Sequence, residues 1–146
     1  MELNSEFVVT AAIDDVWNLL NDVERIAPCI PGFQLQEIEG NEYRGLMKVK
    51  VGAVVTEYRS TVEFTEQDAS AYRTMMRGSG RETKGQGSVD ATITSTLSAE
   101  GERTRVTIVT SLNVTGRVAQ FGRGILADVS NKLVNQFVQC LESRFL

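Results

Sequence analysis

Few residues in this 146-residue chain are of a type that does acid–base, nucleophilic or metal chemistry, and none of them is histidine. Without an imidazole the commonest general base and the commonest metal ligand are both missing. A Ser-His-Asp triad, a Cys-His pair and a histidine zinc site are therefore excluded. Cys29 and Cys140 stand far apart and fit no metal or redox spacing, so two reduced, mostly buried thiols are expected. Asp14 and Asp15 are adjacent, and on a helix their side chains diverge by about 100°. They read as acidic residues favoured by the dipole of a helix start, not as a catalytic dyad. The stretch "RGSGRETKGQG" (77 to 87) has backbone N–H groups that could cradle an anion. It lacks a Gly-Lys-Ser/Thr ending and a strand-into-helix context, so it reads as a hairpin tip. Arg77, Arg81 and Lys84 make it the most basic loop and a candidate docking surface for a partner or a headgroup. No catalytic residue and no metal-ligand set is expected.

The composition, 42% hydrophobic and 23% charged, is that of a soluble globular protein, and the length suits a single domain over residues 1–146. No apolar run approaches the roughly 18 to 20 residues of a membrane-spanning helix. The start "MELNSEFVV" lacks the basic and apolar regions of a signal peptide, so cytoplasmic residence is expected. The net charge of −4 is unevenly spread, with nine acids against Arg25 alone in residues 1–42. Nucleic acid is a poor partner for such a chain.

These residues must be positioned by elements, and the hydropathy pattern supplies them. Leu3 to Val9 reads as a strand. Ile13, Val16, Trp17 and Leu20 fall on one helical face, and a second short helix is expected from about Asp22 to Ala27, stopped by Pro28. From Phe33 to Thr115 the period is two, in six strands with short connections, the first pair joined at Gly40-Asn41. Val54, Tyr58, Val62 and Phe64 alternate inward against Glu57, Arg59 and Glu63. From Val118 to Leu141 the period returns to three or four, predicting one amphipathic helix of about 27 residues. That helix must lie across the concave face of an antiparallel sheet.

Two segments bear on what lies between helix and sheet. "PCIPGF" (28 to 33) holds both prolines of the chain around Cys29 and Ile30, and forms a rigid apolar corner. "GRVAQFGRGI" (116 to 125) places Gly122 and Gly124 within the expected helix, at up to about 1 kcal/mol each relative to alanine. Close packing on the sheet explains them; so does space left for a ligand.

Strand, two short helices, six strands and a long helix is the order of the helix-grip fold. On "VWNLLNDVERIAPCIPGF", "KVKVGAVVTEY" and "GRVAQFGRGIL", the chain resembles the family of the carbon monoxide dehydrogenase G subunit, within the START-like, polyketide-cyclase-like superfamily. The likeness runs from about Met1 to Phe145. It implies an α+β fold with a seven-stranded curved sheet around the C-terminal helix, and an elongated apolar cavity between them. The mouth would lie at the proline corner, with Pro31 and Phe33 as a stiff lip and Ile30 turned inward. Met47, Tyr58, Met76, Phe121 and Ile125 would line the cavity. Arg117 or Gln120 would hydrogen-bond a ligand carbonyl.

The resemblance further implies a non-catalytic accessory to a molybdenum hydroxylase of the carbon monoxide dehydrogenase type, coupling it to the membrane and its quinones. The ligand would be a quinone or similar lipid, with no prosthetic group; molybdenum and iron–sulfur chemistry would belong to the partner hydroxylase. Many members of the family continue into a hydrophobic tail, whereas this sequence ends at Leu146, so membrane contact is expected to be peripheral at most, at the inner face. Two alternatives stay open: a cyclase- or aromatase-like enzyme using Tyr58, Glu57 or an arginine, and a cavity-free docking protein.

Overall fold

The alternation of apolar and polar residues at period two builds nearly the whole molecule. The computed structural model describes all 146 residues. Strand β1 (Glu2–Val9) leads to helix α1 (Ile13–Leu20), short helix α2 (Val23–Ile26) and a 3-10 turn (Ala27–Cys29). Six strands follow: β2 (Phe33–Glu39), β3 (Glu42–Val51), β4 (Val54–Asp68), β5 (Arg73–Glu82), β6 (Ser88–Glu100) and β7 (Arg103–Val114). A second 3-10 turn (Arg117–Phe121) precedes helix α3 (Gly122–Arg144). The strands form one antiparallel sheet in the order β1-β7-β6-β5-β4-β3-β2. Strands β2 to β7 are consecutive hairpins, and β1 completes the sheet by pairing along β7 from Glu2↔Ser111 to Val9↔Thr104. This is the α+β helix-grip arrangement expected.

Three small clusters hold the elements together. Val16 of α1 packs with Val9, Leu97 and Val106, and Trp17 meets Tyr72 edge-on with ring centroids 6.0 Å apart. Leu19, Ile26, Cys29 and Leu141 tie the short helices to the end of α3. Val51, Val118 and Leu126 tie its beginning to β3. Thr104, fully buried, donates its hydroxyl to the Ala11 carbonyl at 2.8 Å and fixes the entry to α1.

The second helix, capped by Asp22 and Ala27, ends before Pro28 as expected, and Pro28 then sits early in the 3-10 turn, where a missing N–H costs nothing. The structure corrects two local expectations. The C-terminal helix has 23 residues, not about 27, because Gly116 (φ +88°) and Gly122 (φ +80°) set Arg117–Phe121 apart as a separate turn. The cysteines are not free thiols. Cys29 and Cys140 form a disulfide with Cα atoms 5.3 Å apart across 111 residues of sequence. Spacing along the chain is no guide here, since α3 folds back to bring its last turns beside the proline corner.

Candidate ligand cavity

Concave-facing positions of the sheet and the inner face of α3 do not meet. Between them lies a cavity of about 440 Å³ lined by 29 residues, 22 of them hydrophobic. None of the 29 is Asp, Glu, Lys, Arg or Cys, so tyrosine, at Tyr43 and Tyr58, supplies the only titratable side chains.

The floor is open because of small side chains on neighbouring strands. In the sheet register Ser60 faces Gly80 and Val62 faces Gly78, while Gly78 in turn faces Ala91. This places two glycines and an alanine where most sheets would carry Val or Ile. The roof is one stripe of α3, Leu126, Val129, Ser130 and Leu133, at helical spacing. One end is closed by Leu20, Val23, Ile26 and Ile30 from the short helices and the corner after them. Among the polar groups at the edge, Thr56 is satisfied, its hydroxyl donating to the Val49 carbonyl at 3.1 Å.

Of the residues expected to line a cavity, Ile30, Phe33, Met47, Tyr58 and Met76 face this space together. Pro31 lies just outside it, on a second hollow between the corner and α3. Arg117, Gln120, Phe121 and Ile125 do not line it, and this corrects the expectation. Within the first turns of α3, positions 125 and 126 both fit the helical spacing to Val129 and Leu133, which face the cavity, but Leu126 is the one buried whereas Ile125 is 44% exposed. Arg117 and Gln120 are exposed on the preceding turn, where the Arg117 guanidinium donates to the Gln86 side-chain oxygen at 3.2 Å. Phe121 packs outside the cavity, against the Val51, Val118 and Leu126 cluster. A methyl group added at Gly122 or Gly124 would have nothing within 4 Å, so close packing does not explain these glycines. Gly122 is required by its positive φ; nothing in the structure explains Gly124.

The basic trio is likewise rearranged. Arg77 and Arg81 belong to strand β5, on the face opposite Gly78 and Gly80, and only Lys84 sits in the turn. Arg81 stands directly across from Arg59, and Arg77 across from Glu63. Sequence reasoning misses the glycine floor because "RGSGRE" has the composition of a loop. Its signal is the two-residue spacing of Gly78 and Gly80, which puts both on one face of a strand.

Comparison with known proteins agrees with this geometry. The family model for the carbon monoxide dehydrogenase G subunit (CoxG) matches residues 5–145. A conserved protein from Geobacillus kaustophilus is similar in structure at 25% identity, with a TM-score of 0.87 over 98% of this chain and 93% of that one. The Zhui aromatase/cyclase from Streptomyces sp. R1128 shares the fold at 17% identity, with a TM-score of 0.66 over 100% and 96% of the two chains. A START superfamily protein from Mycobacterium smegmatis does so at 10% identity, with a TM-score of 0.65 over 98% and 95%. No curated protein sequence matches. With nearly its whole length matched by the family model, this chain belongs to the CoxG family, that of the carbon monoxide dehydrogenase G subunit.

Proposed function

We propose that this protein is a non-catalytic accessory that carries a quinone or similar lipid in its cavity and couples a molybdenum hydroxylase of the carbon monoxide dehydrogenase type to the membrane. The observation that carries the reading is the cavity wall: 22 of 29 lining residues are hydrophobic and none is a carboxylate, amine, guanidinium or thiol. Such a wall holds a ligand by burial. At about 25 cal/mol per Å², covering about 300 Å² of apolar ligand contributes roughly 7 kcal/mol before the costs of association. Acid–base catalysis needs an ionisable group in the site, and the only titratable side chains in this wall are the phenols of Tyr43 and Tyr58.

The family assignment supports an accessory role, and no helix is long and apolar enough to cross a membrane. Peripheral contact at the inner face of the membrane is the placement we infer. Native mass spectrometry of gently purified protein, followed by solvent extraction, tests the carrier. A stoichiometric quinone or isoprenoid, retained less well by Ile30→Ala, supports it. Protein that is empty and refuses added quinones rejects it.

A second reading rests on a separate observation. The likeness to an aromatase/cyclase, with Tyr58 facing the cavity, favours an enzyme that orients a reactive aromatic substrate. Turnover of a cyclisable substrate that is lost in Tyr58→Phe would establish it. The cavity-free docking protein is not supported, because side chains leave about 440 Å³ unfilled.

A further inference from the structure

Of the three tyrosines, Tyr58 alone is buried, at 6% exposed, and its phenol has no partner within the protein. Tyr72 donates to Asp14 at 2.7 Å, and Tyr43 is half-buried with its ring edge-on to Phe64. The neighbours of Tyr58 on the same face of β4 give their hydroxyls to the main chain. Thr56 donates to the Val49 carbonyl at 3.1 Å, and Ser60 to the Tyr58 carbonyl at 3.3 Å. No side-chain oxygen or nitrogen that is fully enclosed in this structure lacks a partner. The unpaired Tyr58 oxygen is therefore not sealed in; it opens onto the space its side chain lines, which is the cavity.

The ring is held by its neighbours in the sheet. Met47 stands directly across from Tyr58 on β3. On β5, Gly80 leaves room for the ring, whose Cδ1 would lie 3.6 Å from a β-carbon added there. A buried hydroxyl without a hydrogen bond is costly, and its proton is the sharper demand, because lone pairs go unpaired more readily than donors. Water or a ligand oxygen must meet that demand. None of the lining side chains is a carboxylate, amine or guanidinium, so a charged ligand group would be buried there without a counter-ion. A neutral acceptor is what this position suits.

We infer that Tyr58 donates its phenolic proton to a carbonyl oxygen of the bound molecule, and so selects a neutral ketone or quinone over a hydrocarbon of the same shape. The inference rests on the carrier reading and deepens it. Apolar burial supplies the affinity, and one hydrogen bond fixes which part of the ligand lies at Tyr58. The carbonyl contact expected of Arg117 or Gln120, both outside the cavity, passes to this residue.

Titration of the full chain and of Tyr58→Phe with 9-fluorenone and fluorene, one tricyclic frame with and without a carbonyl, tests this. The preference for fluorenone over fluorene should be roughly fivefold greater in the unmodified protein than in the variant, the weight of one net hydrogen bond. Fluorene should bind both proteins alike, and the variant should keep its melting temperature, since the hydroxyl holds no other protein group. Infrared difference spectra give a second readout. The carbonyl stretch of bound fluorenone should lie at lower frequency in the unmodified protein than in Tyr58→Phe. The same preference in both proteins, or the same carbonyl frequency, overturns the role of Tyr58 and leaves the carrier reading intact. Uptake of neither compound overturns both.

Discussion

Gly80 lies beneath Tyr58, and a β-carbon built on it would come within 3.2 Å of the tyrosine Cβ. Gly78, one step along the same face, would meet nothing closer than 3.9 Å. The two glycines therefore differ in what they permit. Gly78→Ala is expected to leave stability unchanged or raise it by about 0.5 kcal/mol, by removing chain entropy. Gly80→Ala should cost about 1 kcal/mol by displacing Tyr58. Gly78→Leu should fill the cavity floor, keep a cooperative thermal transition and abolish ligand uptake. Melting curves and uptake measured together separate these outcomes; unchanged uptake by Gly78→Leu would show that the cavity is not the site.

The disulfide joins the proline corner to the end of α3 and closes a loop of 111 residues. A cross-link of that span restricts the unfolded chain and is expected to stabilise by about 2–4 kcal/mol. Reduction, or the double change Cys29→Ala and Cys140→Ala, should lower Tm by roughly 5–15 °C. Calorimetry with and without reductant measures it. No change on reduction of a verified disulfide would mean that the corner and helix stay docked through Leu19, Ile26 and Leu141 alone.

The phase of α3 is tested by neighbours. Leu126→Ala removes a buried side chain at the cavity roof and should cost about 2 kcal/mol, the low end for such changes because the site already borders open space. Ile125→Ala, on the exposed side, should be close to neutral. Reversed values from urea unfolding would mean that Ile125, not Leu126, is the side chain turned toward the cavity.

The pH dependence has two limbs. A hydrogen bond from the Arg73 guanidinium holds the Glu66 carboxyl below its ordinary value of 4.5. One from the Ser70 hydroxyl does the same for Asp68, ordinarily 3.8. Folded values below unfolded ones mean that this stability is present above the unfolded pKa and lost as pH falls through the folded one. The Tyr72 phenol donates to Asp14 at 2.7 Å, which raises it above its ordinary 10.0. Its contribution is complete below pH 10 and is lost as pH climbs through the raised value. Urea midpoints followed against pH should show Glu66→Gln flattening the acid limb and Tyr72→Phe the alkaline one.

How much of this is legible in the sequence depends on whether a feature is local. The strand alternation in β4, β6 and β7 and the turn at Gly40-Asn41 are nearest-neighbour patterns, and the fold follows from them. Tyr58 is found by the same period-two reading, and the family resemblance adds Met47 and Met76 to the cavity wall. Ile125 is misplaced because positions 125 and 126 both fit the three-and-four spacing to Val129, and only the docking of the helix decides that Leu126 is the one turned inward. Gly78 and Gly80 are hidden by composition, since glycine-rich stretches suggest turns. The Cys29–Cys140 bridge depends on α3 returning to the corner, a relation between elements that no local pattern records.

The pairing of β1 with β7 also has a kinetic consequence. Among themselves, strands β2 to β7 join only as sequence neighbours, so they can zip up hairpin by hairpin over short loops. Pairing Glu2 with Ser111 must instead close more than a hundred residues, at greater loop entropy. Leu3 of β1 and the stripe on α3 are both walls of the cavity. The space is thus expected to be enclosed only in the last stage of folding. In pulsed hydrogen exchange, amides of β4 and β5 should gain protection before those of β1. A ligand present during synthesis would then meet an open sheet, and the final docking of α3 would close around it.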